Sequence, residues 1–197
     1  MIPLLAFVSV LLYACDQRNT ISNHEYVDLG LSVMWATCNI GADSPEEYGD
    51  YYAWGETKTK DEYTKENCET YEEEIDDIAG TSRDVARVKW GSPWRMPTKK
   101  EFYELVKNCD WKWTTLNGVK GRKYTSKKNG NSIFLPAAGW RYGASLYRTG
   151  ERGYYLSSSP RWGGTQLAYA LDFCSGGHAW GWYRRDGGLS VRPVSEF

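Results

Sequence analysis

The chain has 197 residues, 25 Asp and Glu against 24 Lys and Arg, a formal net charge of −1 and a pI near 6.2. That length suits one domain able to bury roughly 70% of its unfolded surface without a metal or disulfide staple, and the near-zero charge excludes the global basic footprint of a nucleic-acid binder. With 10 Trp, 15 Tyr and 20 Gly beside 2 His, the composition favours a loop-rich domain packed on aromatic rings over a helical bundle, a metal centre or His-dependent catalysis.

Residues 2–14, IPLLAFVSVLLYA, are uncharged and lead directly to Cys15. The run is shorter than the about 20 residues a membrane-spanning helix needs. It resembles a bacterial lipoprotein signal, cleaved before a cysteine that then carries the lipid. The resemblance implies a signal peptide over 1–14, lipid attachment at Cys15, a polar tether over 15–24, and export to the outer membrane, on its periplasmic face or at the cell surface. Cys38, Cys68, Cys109 and Cys174 form no C-x-x-C pair, which excludes a zinc ribbon. They allow either two disulfides in three connectivities or buried free thiols.

The domain opens at Glu25, with two short strands expected across 26–36, joined at 28–30. Residues 43–77 hold 14 acidic and 3 basic residues, whereas 78–197 hold 8 acidic and 20 basic. Within the acidic part, 58–77 is so poor in aliphatic residues that it reads as a mobile surface insertion. Its acids lack the spacing of a calcium loop. A helix is expected over 76–89, with Ile78, Val85 and Val88 on one face, although Gly80 interrupts it. A second helix starts at the Thr98-Lys99-Lys100-Glu101 capping box, carries Phe102, Leu105 and Val106 on one face, and ends near Cys109. From Trp111 the pattern turns to strands, at 111–116, 120–126 and 132–135, punctuated by Asn117-Gly118 and Asn129-Gly130. Further short strands are expected at 153–159, 167–173, 178–182 and 188–194. Two helices ahead of mostly antiparallel strands indicate an α+β fold.

Several motifs then resemble one family. Glu25-Tyr26-Val27-Asp28-Leu29-Gly30-Leu31-Ser32-Val33, Trp35-Ala36-Thr37-Cys38-Asn39, Tyr48-Gly49-Asp50-Tyr51-Tyr52-Ala53-Trp54-Gly55-Glu56-Thr57, Trp94-Arg95-Met96-Pro97-Thr98, Phe134-Leu135-Pro136-Ala137-Ala138-Gly139 and Ser190-Val191-Arg192-Pro193-Val194 follow in order over almost all of 25–194. Together they resemble the Fibrobacter succinogenes major paralogous domain family of gut Bacteroidetes. The resemblance implies a single C-type-lectin-like domain over 25–197, in the form shared with formylglycine-generating enzymes and with variable proteins diversified by retroelements. In those variable proteins a fixed scaffold displays a variable C-terminal ligand surface. One departure is that members often show Tyr-Trp-Ser-Ser-Ser where this chain has Tyr155-Leu156-Ser157-Ser158-Ser159.

The stretch between Ser159 and Gly188 is cut by glycine pairs and rich in stacking and charged groups. Trp162, Tyr169, Asp172, His178, Trp180, Trp182, Tyr183, Arg184, Arg185 and Asp186 are therefore the expected ligand-binding residues. Strand alternation places His178, Trp180 and Trp182 on one face, turned outward, with Ala179 and Gly181 against the scaffold. The competing reading makes these tryptophans core. Leu171 and Phe173 read as core with Asp172 between them facing out, and Arg184-Arg185-Asp186 reads equally as an anion clamp or a solvated turn.

No catalytic residue, metal or cofactor is expected. The serines lie in no nucleophile elbow, Cys174 lacks the partner that formylglycine chemistry uses, and the lectin calcium triplets are absent. The expected function is a lipid-anchored envelope protein that binds a surface protein or glycan without catalysis, contacts the membrane through its lipid and does not bind nucleic acid. The alternatives are an accessory subunit of a surface adhesin or pilus-like assembly and, less favoured, a carbohydrate-active or formylglycine-type enzyme.

Overall fold

The computed structural model describes residues 19–196, the side chains of Ala179 and Trp180 excepted. The expected signal segment, 1–14, and Cys15 lie outside the described residues. Among those described, no helix is long and apolar enough to cross a membrane. The fold is α+β, dominated by antiparallel sheets with two α-helices.

Residues at the end of the expected tether already belong to the fold. Ser22 and Asn23 take left-handed backbone angles and turn β1 (Thr20–Ile21) onto β2 (His24–Val27), and the indole of Trp94 donates to the Ile21 carbonyl at 3.0 Å. β2 pairs with β3 (Met34–Ala36), which continues through β13 (Val194–Ser195) to β4 (Trp94–Arg95), so both ends of the domain close one five-stranded sheet. The strand expected over 188–194 is instead broken up. Leu189 and Ser190 make single bridges to Tyr52 and Tyr155, and only Val194–Ser195 joins a sheet, because Pro193 has no N–H to give a ladder.

The expected helix over 76–89 shortens to α1 (Val85–Trp90). Gly80 sits at φ +72°, and Asp84, which takes the N-cap position, ends any upstream helix by turning its carboxylate onto the Ala86 and Arg87 amides. Ile78 is still buried, from a loop, whereas Val88 is half exposed. The second helix, α2 (Lys99–Asn108), begins at the expected capping box: Thr98 Oγ1 accepts from the Glu101 amide, and Glu101 accepts from the Thr98 amide. Glu101 also pairs with the buried Arg95, which ties the helix start to β4.

β5 (Cys109–Leu116) and β6 (Val119–Ser126) form a hairpin through Asn117-Gly118, both at positive φ, as the Asn-Gly signal predicts; β7 (Ser132–Pro136) completes that sheet. A further hairpin, β8 (Trp140–Tyr142) and β9 (Ser145–Tyr147), is followed by the three-stranded sheet β10 (Arg152–Pro160), β11 (Leu167–Cys174) and β12 (Gly177–Arg184).

This last sheet organises the core because it is packed on both sides. Tyr155, Leu171 and Phe173 face a cluster with Trp35, Phe102, Leu105, Tyr124 and Leu135; Tyr154, Leu156, Ala168 and Ala170 face another with Tyr52, Trp54, Ile78 and Met96. Leu156, the departure from the family pattern, is thus a buried packing residue. Gly153 permits the first cluster to close, since a Cβ there would lie 2.3 Å from the Phe173 ring.

The charged stretch 58–77 corrects the expectation of a mobile insertion. It buries Tyr63, Cys68 and Thr70; the Tyr63 hydroxyl donates to the Tyr51 carbonyl, that of Thr70 to the Trp54 carbonyl, and Lys60 bridges Glu56 and Asn67. Three polar anchors and one buried ring do the work that aliphatic residues would otherwise do. Cys38, Cys68, Cys109 and Cys174 are all free, which decides between the thiol and disulfide alternatives.

Candidate functional site

The expected display residues separate into two groups. Trp182 and Trp162 are surface rings, 53% and 92% exposed, in a domain whose Trp35, Trp54 and Trp94 are fully buried. β12 is the edge strand of its sheet, so Trp182 shares a face with Tyr169 and Leu171 yet lies beyond the core. The Tyr169 and Trp182 rings meet edge to face at 6.1 Å. Arg161 lays its guanidinium 4.6 Å from the Trp182 ring centre, and Lys99 holds its ammonium 4.4 Å from that of Tyr169. A hydrogen bond from Trp182, with Lys99 and Arg161 nearby, draws the Tyr169 phenol below its ordinary value. His178 is exposed near the far end of the same strand, and partial burial with the charge of Arg122 holds its imidazole low. The side chain of Trp180 lies outside the described residues.

The second group is mostly structural, and burial corrects the expected display of Asp172, Arg185 and Asp186, while Arg184 stays exposed and Tyr183 is half-buried. Asp172 does not face out: it is buried, takes a two-pronged ion pair from Arg152 and accepts from the Tyr183 hydroxyl at 2.7 Å. The same carboxylate raises the pKa of both partners, chiefly through its hydrogen bond for Arg152 and after burial for Tyr183. Residue 172 alternates with Leu171 as expected, but this sheet has a core on each side, so both faces are interior. Arg184 forms a bidentate pair with buried Asp186, at 2.9 and 2.7 Å, which occupies the fork that an anion would need. Arg185 is buried on the face of Trp54, 4.2 Å from its centre, and Nη1 donates to the carbonyls of Thr70 and Glu73. Burial lowers its pKa.

Gly181 serves the scaffold in an unexpected way. A Cβ there would stand 2.4 Å from the Tyr183 ring, so the ring of β12's own Tyr183 folds over that glycine. Gly181→Ala should push the ring off, break its bond to Asp172 and lower stability by about 1–3 kcal/mol. Thermal melts of Gly181→Ala, Tyr183→Phe and the double variant check this, since the two changes should be strongly non-additive.

Sequence reasoning missed one wall of the site. A groove of about 780 Å³ runs between Glu73, Glu74, Ile75 and Asp76 on one side and Arg161, Trp162 and Thr165 on the other. The acidic segment is stitched to the sheet by the Arg185 fork, by the Ile78 amide on the Ser158 carbonyl, and by Ser159 Oγ on Asp77. Past Tyr169 lies a second slot, about 280 Å³, lined by Lys99, Lys100, Tyr103 and Tyr169. The signal for it was legible, because Lys99, Tyr103 and Lys107 follow one another at four-residue spacing along the polar side of α2. Trp162, Arg161, Trp182, Tyr169, Lys99 and Tyr103 therefore form a continuous aromatic and cationic strip. Among the described residues no group of three or more His, Cys, Asp or Glu is placed to hold a metal ion.

Compared with family models, with curated proteins and with solved structures, the chain matches none.

Proposed function

We propose that this chain is the recognition domain of an exported, lipid-anchored envelope protein that binds a cell-surface glycan or protein through the strip and groove around 161–182, without catalysis. The fold we propose is the C-type-lectin-like form of the Fibrobacter succinogenes paralogous family, on the motif resemblance. The observation that carries the function is the exposure of Trp162 and Trp182, at 92% and 53% the two most exposed of the described tryptophans, on one side of a domain that buries Trp35, Trp54 and Trp94 completely. Large rings left in water at the rim of a groove supply contact area at low rotamer cost, the composition of binding hot spots. Arg161 is held on the face of Trp182 and Lys99 on that of Tyr169, so these contact groups are ordered before a ligand arrives.

The reading is tested by probing glycan and surface-protein arrays with the full chain and with a Trp162→Ala, Trp182→Ala variant. Each ring is expected to contribute about 2 kcal/mol or more at a hot spot, so the pair should weaken a bound array component about 1000-fold. The melting temperature should hold within about 2 °C, since neither ring is core. Undiminished binding by the double variant would reject the surface.

A further inference from the structure

We infer that the slot between α2 and Tyr169 seats an acidic sugar residue, so that the ligand of the proposed recognition face is a carboxylated or sulfated glycan; this deepens the reading above and rests on it. The slot has two kinds of wall. Tyr103, 57% exposed, and Tyr169 present ring surface, while Lys99 and Lys100 present aliphatic stems ending in ammonium groups. A pyranose offers the matching pattern: an apolar C–H face to lie on the rings and a charged substituent at its edge to reach the ammonium groups. A flexible Asp or Glu side chain would satisfy the charge but leave the two rings uncovered.

The local charge supports the same choice. Among the described residues, Lys99, Lys100 and Arg161 make no ion pair, although acidic and basic residues are nearly balanced in the whole chain. Lys107 adds a fourth cation 5.9 Å from the Tyr103 ring centre. The Tyr169 phenol is drawn down first by its hydrogen bond from Trp182, and the charges of Lys99 and Arg161 act in the same direction. At the other end of the strip, Glu74 and Asp76 wall the groove beyond Arg161. An acidic chain is repelled on that side and drawn along the Trp182, Tyr169 and Tyr103 side, which gives the site a direction.

The slot is held in place by the fold. The Lys99 amide donates to Ser159 Oγ at 3.2 Å, joining the start of α2 to the end of β10, and β10 neighbours the strand that carries Tyr169. The lysines are thus set against the ring by backbone contacts that do not depend on a ligand.

Calorimetric titration of the full chain with four probes tests the assignment: an oligogalacturonate, a heparin-derived oligosaccharide, a neutral cello-oligosaccharide and poly-glutamate. Binding is expected for the first, the second or both, which separates carboxylate from sulfate as the charged group, and it should weaken at least about tenfold from low salt to about 0.5 M. Lys99→Gln, Lys100→Gln should weaken it by about tenfold with the melting temperature unchanged, and Tyr103→Ala should do the same. Equal or tighter binding of the neutral oligosaccharide or poly-glutamate, or binding of none of the four, overturns the acidic-sugar assignment. Loss of an array component on Trp162→Ala, Trp182→Ala with no effect of the lysine pair would overturn it while leaving the recognition face standing.

Discussion

Methionine in place of Arg192 is expected to lower the free energy of unfolding by about 3 kcal/mol, read from urea or guanidinium denaturation. Arg192 is fully buried and has no carboxylate partner among the described residues; Nε donates to Asn39 Oδ1 at 2.9 Å, and Nη1 donates to the carbonyls of Ala36 at 3.0 Å and Thr37 at 2.6 Å. Burial accordingly lowers its pKa. Methionine fits the volume but orphans three acceptors, each costing about 1–3 kcal/mol when dry. Removing a desolvated cation returns part of that, which keeps the net effect below the sum. The damage should spread, because Asn39 Nδ2 in turn donates to the Tyr48 carbonyl and the Tyr155 hydroxyl, and that hydroxyl donates to the Pro136 carbonyl. Arg192→Lys keeps the charge without the planar fork and should recover less than half the loss. An unchanged denaturation midpoint for Arg192→Met would show that the network contributes nothing net.

Asp84→Ala should cost a similar amount, about 3–4 kcal/mol, for a different reason. The buried carboxylate accepts from four backbone amides: Ala86 and Arg87 on Oδ1 at 2.9 and 3.1 Å, Gly80 and Met96 on Oδ2 at 2.7 and 2.8 Å. The first two are the cap of α1, worth about 1–2 kcal/mol. Of the others, the Gly80 bond closes the 78–84 loop on itself and the buried Met96 bond ties that loop to the residue after β4; alanine removes both acceptors. Asp84→Asn supplies one carbonyl oxygen and one amide, so it should keep the cap and lose the cross-link, landing between the two. The same variant carries a functional consequence. The loop that Asp84 pins continues into Asp77 and Asp76, and loosening it should widen the groove opposite Trp162 without touching a contact residue. A denaturation series with the array measurement separates the two effects: Asp84→Asn should weaken an array component more than its stability loss alone explains.

What the sequence disclosed depended on how local each determinant is. The α2 capping box and the Asn117-Gly118 turn act within four residues, and both form as written. The 76–89 segment does not form one helix because Gly80 at positive φ and the N-cap of Asp84 outweigh the apolar spacing of Ile78, Val85 and Val88. The β8–β9 hairpin went unseen because its strands are three residues long and its turn, Gly143-Ala144, carries no Asn-Gly or Asp-Gly signal. In the site, Trp162 and Trp182 were legible as candidate contact rings, and only the exposure of Trp182 decides against a core role for it, whereas Arg185 and Asp186 were not legible as buried. A run of Arg-Arg-Asp reads the same in water as beneath Trp54, and the carbonyls that accept from Arg185 lie over one hundred positions away. The acidic wall at 73–76 meets Trp162 only through tertiary structure, so no local pattern could announce it.

The two-sided packing of the β10–β11–β12 sheet has a consequence for how this molecule can change. Every residue on β10 and β11 that faces either core is constrained by close neighbours, down to glycine at 153, whereas the rings and charges at Trp162, Arg161, Trp182, Lys99 and Tyr103 lie on the rim, outside both core clusters. Substitutions there should be nearly free of folding cost, of the order of 0.5 kcal/mol. A specificity carried by that rim, as proposed, would therefore change by point mutation alone, with the scaffold unaltered.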